Sequence, residues 1–226
     1  MKKIHEENGL QYYFMTENDI DDIMKFTENV HNTLEDKSTF IMDEKDELER
    51  LFENGGQIIG VFDGERLVGF RSTHVIDYNE SFIKDIDFIE DIEEKIIQHG
   101  SSMVDKEYRG RGIQNKTREL IENYVKENNY KYFYSTVSPK NPHSFRNVLK
   151  NGFYIVALKN VYHDENGPEG YPRFIFYKNK YRDFEFTDKC INIDPKDEDA
   201  IKKALEDKYI GVSYNDEKIL FKQIKD

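Results

Sequence analysis

Tyr108-Arg109-Gly110-Arg111-Gly112-Ile113-Gln114 is the stretch of this 226-residue sequence on which the fold prediction depends. It follows an apolar segment, residues 96–104, predicted as a strand in which Gly100 would accommodate a bulge. It precedes residues 113–126, whose apolar side chains recur at helical spacing. Glycines let a backbone approach a ligand closely, and the free N–H groups of a first helical turn attract an anion. Taken alone, such a turn also fits an ordinary strand-to-helix connection.

The composition predicts a folded protein with a highly charged surface. Charged residues make up 35% of the chain and interleave with apolar ones, and 16 Phe and 15 Tyr can fill a core. The net charge of -12 argues against nucleic acid as the main partner and weakly favours a cationic acceptor. Cys190 is the single cysteine, which excludes an intramolecular disulfide, and we interpret it as a buried small residue. No apolar run approaches transmembrane length, so we expect a cytoplasmic protein without a membrane partner.

Working outward from this turn, helices and strands alternate. Upstream, the patterns predict a strand at 10–15, helices at 20–34 and 43–53, strands at 57–62 and 66–75, and a loop with a helical turn at 79–95. Downstream, they predict a strand at 131–137, a helix at 142–150 capped by Asn141, and strands at 153–162 and 171–177. A strand at 184–193, a helix at 197–209 and a strand at 218–224 follow. We therefore expect a main domain, 1–182, with a packed β-α-β extension, 183–226.

A second motif lies downstream of the turn. Asn141 follows the strand, then come Ser144 and the pair Gly152-Phe153. With the glycine turn, this series resembles the GNAT N-acetyltransferase family. The phosphate loop of that family reads Arg/Gln-x-x-Gly-x-Gly/Ala, and its second motif reads Asn-x-x-(Ala/Ser), a helix, then Gly-Phe. The resemblance covers residues 8–180 and implies an α/β fold with a mixed sheet of about seven strands and helices on both faces.

The resemblance also implies a function and a site. The reaction would be acetyl (acyl) transfer from acetyl-CoA to a primary amine of a small molecule or peptide, in a ternary complex and without a metal. Main-chain N–H groups of the turn would hold the CoA diphosphate, and the preceding strand would pair with the pantetheine arm. A backbone N–H near Ser102 or Met103 would polarise the acetyl carbonyl. The implied cofactor-binding residues are Ser102, Met103, Val104, Arg109, Gly110, Arg111, Gly112, Ile113, Gln114, Asn115, Asn141 and Ser144.

The sequence departs from the family pattern at two positions. Gln114 replaces the usual Gly or Ala, which adds only bulk. Val148 replaces the Tyr that many members use to protonate the leaving thiolate. Another group or water would then supply the proton, or the transfer would run without an acid. A thiol, with a pKa of ~8.5, is a fair leaving group in each case. His99 and His143 are candidate bases. Each is also interpreted as a surface residue, at a strand start and at a helix N-terminus respectively.

Other functions remain open from the sequence alone. Val148 and the lack of an evident base also suit a CoA-binding sensor or partner-binding module without catalysis. A transferase acting on aminoacyl-tRNA is disfavoured by the negative charge. The 183–226 extension would serve as a dimerisation element, an acceptor-site wall or a sheet extension. The acidic run 85–94 would be a lid for a cationic substrate or an ordinary solvated face.

Overall fold

The computed structural model describes residues 1–90 and 92–225, with all their side chains except those of 126 and 127. The chain forms two compact units, the first made of residues 1–76 and 97–130, the second of residues 77–96 and 131–226. The predicted boundary between residues 182 and 183 is not tested by this division and stays a prediction.

The first unit contains a sheet with strand order β1-β2-β3-β4-β5, in which the first three neighbouring pairs are antiparallel. Its strands are β1 (Lys2–Glu7), β2 (Leu10–Phe14), β3 (Gln57–Asp63), β4 (Arg66–Ile76) and β5 (Ile96–Val104). Its helices are α1 (Ile20–His31), α2 (Lys45–Glu53) and α3 (Ile113–Glu127).

Helices cover both faces of this sheet. Phe70 of β4 packs edge-to-face against Phe26 of α1, with ring centroids 6.0 Å apart. The next residue, Arg71, hydrogen-bonds to Thr117 of α3. Consecutive strand residues point to opposite faces, so α1 and α3 lie on opposite sides. The face covered by α1 and α2 is the apolar core, built from Met15, Ile20, Ile23, Phe26, Val30, Leu48, Leu51, Ile58, Phe70 and Met103.

The second unit contains a sheet with strand order β6-β8-β7-β10-β11-β9, in which each neighbouring pair of strands is antiparallel. Its strands are β6 (Tyr132–Val137), β7 (Tyr154–Val161), β8 (Tyr171–Asn179), β9 (Phe186–Ile193), β10 (Tyr209–Asn215) and β11 (Lys218–Ile224). Its helices are α4 (Pro142–Lys150) and α5 (Glu198–Glu206). Gly211 of β10 pairs with Ile155 of β7, so the C-terminal segment continues the sheet of this unit.

The segment between β4 and β5 is a packed loop, as predicted. A 3-10 helix spans Tyr78–Glu80, and the isoleucines of the segment are buried: Ile83, Ile86, Ile89 and Ile92. The acidic residues that alternate with them are exposed wherever the structure describes them; residue 91 lies outside the described part. The isoleucines therefore hold the loop in place while the carboxylates face water.

The structure differs from the sequence analysis at three points: a missed strand, the end of a helix and the burial of Cys190. The pattern did not predict β1, because this charged edge strand has no buried face. The helix predicted to reach residue 209 ends at Glu206, where Lys208 adopts a left-handed φ of 60° and β10 begins. The extension is therefore β-α-β-β. Cys190 is exposed rather than buried, because its strand, β9, ends the strand order of the second unit.

Candidate active site

The loop between β5 and α3 is shaped by two glycines. Asp105 begins it by accepting a hydrogen bond from the Glu107 N–H (3.0 Å), which caps a 3-10 turn. Gly110 and Gly112 then adopt φ values of 77° and 78°, a left-handed region that costs other residues energy. A Cβ added at either glycine would meet no atom within 4 Å. The backbone of this loop thus borders open space.

Unsatisfied amides line the same turn. The N–H groups of Asn115 and Lys116 donate to the Gly112 carbonyl (3.0 Å each) and so begin the bonded part of α3. Among the residues that the structure describes, the main-chain N–H groups of 110–114 have no hydrogen-bond acceptor. Several free donors at the positive end of a 15-residue helix form a site for an anion.

The two arginines of the loop stabilise its shape with their side chains. Arg109 Nε donates to the Val104 carbonyl (3.2 Å), which ties the loop to the end of β5. The Arg111 guanidinium lies over the Tyr108 ring, 4.6 Å from its centroid, and donates to the Glu107 carbonyl. Tyr108 in turn donates its hydroxyl to Asp63 (2.7 Å). Both guanidinium groups therefore hold the loop in its observed shape.

Two buried arginines are associated with the first turns of α3: Arg71 on the neighbouring strand β4, and Arg118 within α3 itself. Arg71, 3% exposed, donates from Nη2 to the Gln114 carbonyl and from Nε to the Thr117 hydroxyl, both at 3.2 Å. Burial lowers the pKa of Arg71 well below its usual value, with the charge of Arg118 adding to the effect and Glu122 opposing it. Burial also lowers the pKa of Arg118, to about 10, so it is charged at neutral pH.

These buried charges explain how so acidic a chain can present an anion site. A guanidinium keeps its proton in the neutral range even where burial lowers its pKa, so the contact of Arg71 with the Gln114 carbonyl brings positive charge to the start of α3. Sequence reasoning missed Arg71, which stands in an apolar strand. The available signal was an arginine in the middle of the strand predicted at 66–75, directly after Phe70.

The end of β5 holds the other predicted residues of this unit. Ser102 Oγ is buried and has no hydrogen-bond partner among the described residues, so it is free to bind a ligand. Met103 lies in the core against α1 and α2. The Ser101 N–H donates to the Ser72 hydroxyl (2.8 Å), so a side chain takes part in the strand pairing beside Gly100. A Cβ at Gly100 would lie 2.7 Å from Ser72 Oγ, which explains the glycine.

The surface interpretation of His99 is wrong, because its side chain is 2% exposed. His99 lies on the buried face of β5 together with Ser101 and Met103, whereas Gln98, Gly100 and Ser102 on the other face are half-buried. The burial of His99 does not test its role as a base, which stays a prediction.

The second motif forms the cap of α4 in the other unit. Asn141 Oδ1 accepts a hydrogen bond from the Ser144 N–H (3.1 Å), and Pro142 occupies the first helical turn, as predicted. His143 is exposed, which confirms its interpretation as a surface residue. Val148 is buried on the inner face of α4 and has no titratable group to supply. The predicted cofactor contacts of Asn141 and Ser144 stay predictions.

Comparison with known proteins identifies the class. The model of the acetyltransferase (GNAT) family matches residues 20–153, more than half of the chain. The chain therefore belongs to the GNAT family of acetyltransferases and has its fold, a mixed sheet with helices. The fold prediction is confirmed. No curated protein sequence matches the chain significantly.

Solved structures share this fold at low sequence identity. NAA60 from Arabidopsis thaliana, in complex with acetyl-CoA, has a TM-score of 0.60 and 16% identity, covering 75% of this chain and 98% of that one. The ribosomal-protein-S18-alanine N-acetyltransferase from Escherichia coli has a TM-score of 0.56 and 12% identity, covering 77% and 96%. The putative acetyltransferase yncA from Salmonella typhimurium, with its cofactor acetyl-CoA, has a TM-score of 0.56 and 12% identity, covering 78% and 96%. Within the described part of the chain, no helix has the length and apolarity needed to cross a membrane.

Proposed function

We propose that this protein transfers an acetyl group from acetyl-CoA to a primary amine of a small molecule or peptide, by direct attack in a ternary complex. The observation that carries the proposal is the row of main-chain N–H groups at 110–114, which have no acceptor among the described residues and belong to a loop with open space around Gly110 and Gly112. Structures with the same fold bind acetyl-CoA, and one neighbour acts on the alanine of a ribosomal protein. A diphosphate matches the charge and the donor geometry of this turn.

The residues of the first unit fit the cofactor. The amides of 110–114 would hold the diphosphate, with the charges of Arg71 and Arg118 behind them. Ser102 Oγ, buried without a partner, would gain one from the pantetheine arm. Acetyl-CoA supplies an activated thioester when bound. A main-chain N–H of Ser102 or Met103 would donate to its carbonyl oxygen and stabilise the negative charge that develops there.

A two-stage experiment tests the proposal. Calorimetric titration with CoA and acetyl-CoA measures binding, and release of free thiol in the presence of small primary amines and peptides with free N-termini measures transfer. Binding with amine-dependent thiol release supports the proposal. Binding without release from any amine would favour the sensor hypothesis, and absence of CoA binding would overturn both.

The net charge of the protein suggests the chemical nature of its acceptor. At a net charge of -12, the protein should prefer a cationic amine to nucleic acid, and we expect it to act in the cytoplasm. Salt-sensitive binding of RNA would contradict this part of the proposal and favour an RNA-linked acceptor.

Arg71→Met is expected to weaken CoA binding at least about tenfold, equivalent to ~1.4 kcal/mol. The substitution removes a buried charge and takes away one of the donors to the Gln114 carbonyl, which keeps the hydrogen bond from the Thr117 hydroxyl. Loss of a hydrogen bond from a charged group costs about 1.5–3 kcal/mol of stability. Calorimetry with CoA and urea denaturation measure the two effects. Arg50→Met is the control, because Arg50 makes a surface ion pair with Asp46 on α2. Unchanged CoA affinity in Arg71→Met would contradict the electrostatic role.

A further inference from the structure

A carboxyl and a hydroxyl form a hydrogen-bonded pair on one face of β5. The loop that follows β5, residues 105–112, is called the diphosphate loop, and the pair lies on the face of β5 opposite α3. Asp43, in the loop before α2, accepts a hydrogen bond at Oδ2 from Ser101 Oγ at 2.5 Å. Ser101 is buried, whereas Asp43 keeps part of its surface exposed. These two residues lie 58 positions apart in the sequence, and both belong to the first unit.

The alternation of β5 separates this pair from the anion site. Ser101 contacts the loop before α2, and Met103 packs into the core formed by α1 and α2. Ser102 lies between them in the strand, so its side chain points to the other face, the one that α3 covers. Asp43 is therefore on the face of β5 opposite α3, and it contacts Ser101, which directly precedes Ser102 and Met103 in the strand.

We propose that Asp43, held by Ser101, is the general base that takes a proton from the acceptor amine. The proposal rests on the function proposed above, because it needs the thioester carbonyl to lie at Ser102 and Met103. An acceptor that approaches from the side of β5 opposite the diphosphate loop would then meet this carboxylate first.

The chemistry requires such a group. An alkyl ammonium with a pKa of ~10.4 must lose a proton before attack, at a cost of about 4.6 kcal/mol at pH 7. The ammonium gives this proton to Asp43, which passes it to solvent. The amine nitrogen then forms its bond to the acyl carbon while the carbon–sulfur bond breaks. The second proton lost by nitrogen balances the one gained by the thiolate.

The surroundings of Asp43 suit a base. Burial raises the pKa of Asp43, and the hydrogen bond from Ser101 opposes this effect. A carboxylate with a raised pKa accepts a proton more readily than an exposed one. Carboxylates of Glu44 and Glu47 follow at the start of α2, and His99 lies two residues before Ser101. On β4, burial lowers the pKa of His74 to about 4, which makes that imidazole a weak base.

Asp43→Asn tests the proposal with little change in shape. We expect kcat/KM at pH 7 to fall at least about 100-fold, within the range that general-base catalysis contributes. CoA affinity and Tm should stay near the wild-type values. The deficit should shrink as the pH approaches the pKa of the amine, because free amine then forms without the enzyme. Asp46→Asn, which removes an exposed carboxylate of α2, is the matched control and should behave as wild type.

Ser101→Ala gives a second readout that a merely structural role would not produce. The Ser101 hydrogen bond lowers the pKa of Asp43, so its loss should move the acidic limb of the kcat/KM profile to higher pH. An active wild type together with an Asp43→Asn variant of equal activity and unchanged pH profile would overturn this inference alone. A wild type that binds no CoA, or that acetylates no amine, would overturn the proposed function instead. Should Asp43→Asn fail to fold, an unshifted Ser101→Ala profile would still contradict the role of Asp43.

Discussion

Gly112→Asp is expected to lower the affinity for CoA at least about 100-fold, or ~2.7 kcal/mol, while the protein stays folded. The new carboxylate would stand in the loop whose amides at 110–114 have no acceptor among the described residues, and it would repel a diphosphate bound there. No atom lies within 4 Å of the added Cβ, so the substitution creates no clash. Its backbone cost at a φ of 78° is about 1–2 kcal/mol. Calorimetry with CoA and thermal denaturation measure the two quantities separately.

Gly9→Asp is the matched control for this prediction. Gly9 has a φ of 77° and equally open surroundings, but it lies in the turn between β1 and β2. It should show the same backbone strain without loss of CoA affinity. Gly112→Ala separates strain from charge and should lose much less affinity than Gly112→Asp. Equal CoA affinity in Gly112→Asp and Gly9→Asp would contradict the assignment of the turn.

Phe145→Ala should destabilise the second unit by about 3–5 kcal/mol, because removing a fully buried aromatic ring leaves a cavity. Phe145 is 0% exposed on α4, and its ring packs edge-to-face against Phe174 of β8 and Tyr214 of β10, with centroids 5.6 and 4.8 Å away. Urea denaturation of the full chain, followed by tyrosine fluorescence, measures the loss. Tyr181→Ala, at a residue 67% exposed, should change stability little.

The Phe145 prediction also tests the role of the C-terminal extension. Because Tyr214 belongs to the extension and Phe174 does not, one ring joins the two parts of the second unit. The sequence suggested a packed tail, and the pairing of β10 with β7 agrees with the sheet-extension alternative. A loss below about 1 kcal/mol in Phe145→Ala would show that this packing contributes little.

Local signals in the sequence located the elements that carry them. The predicted bounds of α4 agree with the structure because Asn141 and Pro142 mark its start and Gly152 follows its end. The start of α3 at Ile113 was predicted because apolar side chains recur at helical spacing from that residue onward. Gly110 and Gly112 both have a positive φ, a feature that the sequence analysis did not predict.

Features that depend on distant contacts could not be predicted. The helix before β10 ends through a left-handed lysine, Lys208, a residue type that gives no such signal. Arg71 supports α3 through a carbonyl 43 positions away, and Asp43 meets Ser101 across 58 positions. Neither partner pair has a local sequence pattern. Asp43 could therefore be proposed as the general base only from the structure, which shows its contact with Ser101 of β5.

A crystal structure of the protein with bound CoA tests the central claim most directly, since that claim concerns main-chain amides of one turn. We expect diphosphate oxygens within hydrogen-bond distance of the nitrogen of Gly112 and of its neighbours in 110–114. A CoA molecule whose diphosphate lies elsewhere, with these amides uninvolved, would contradict the account.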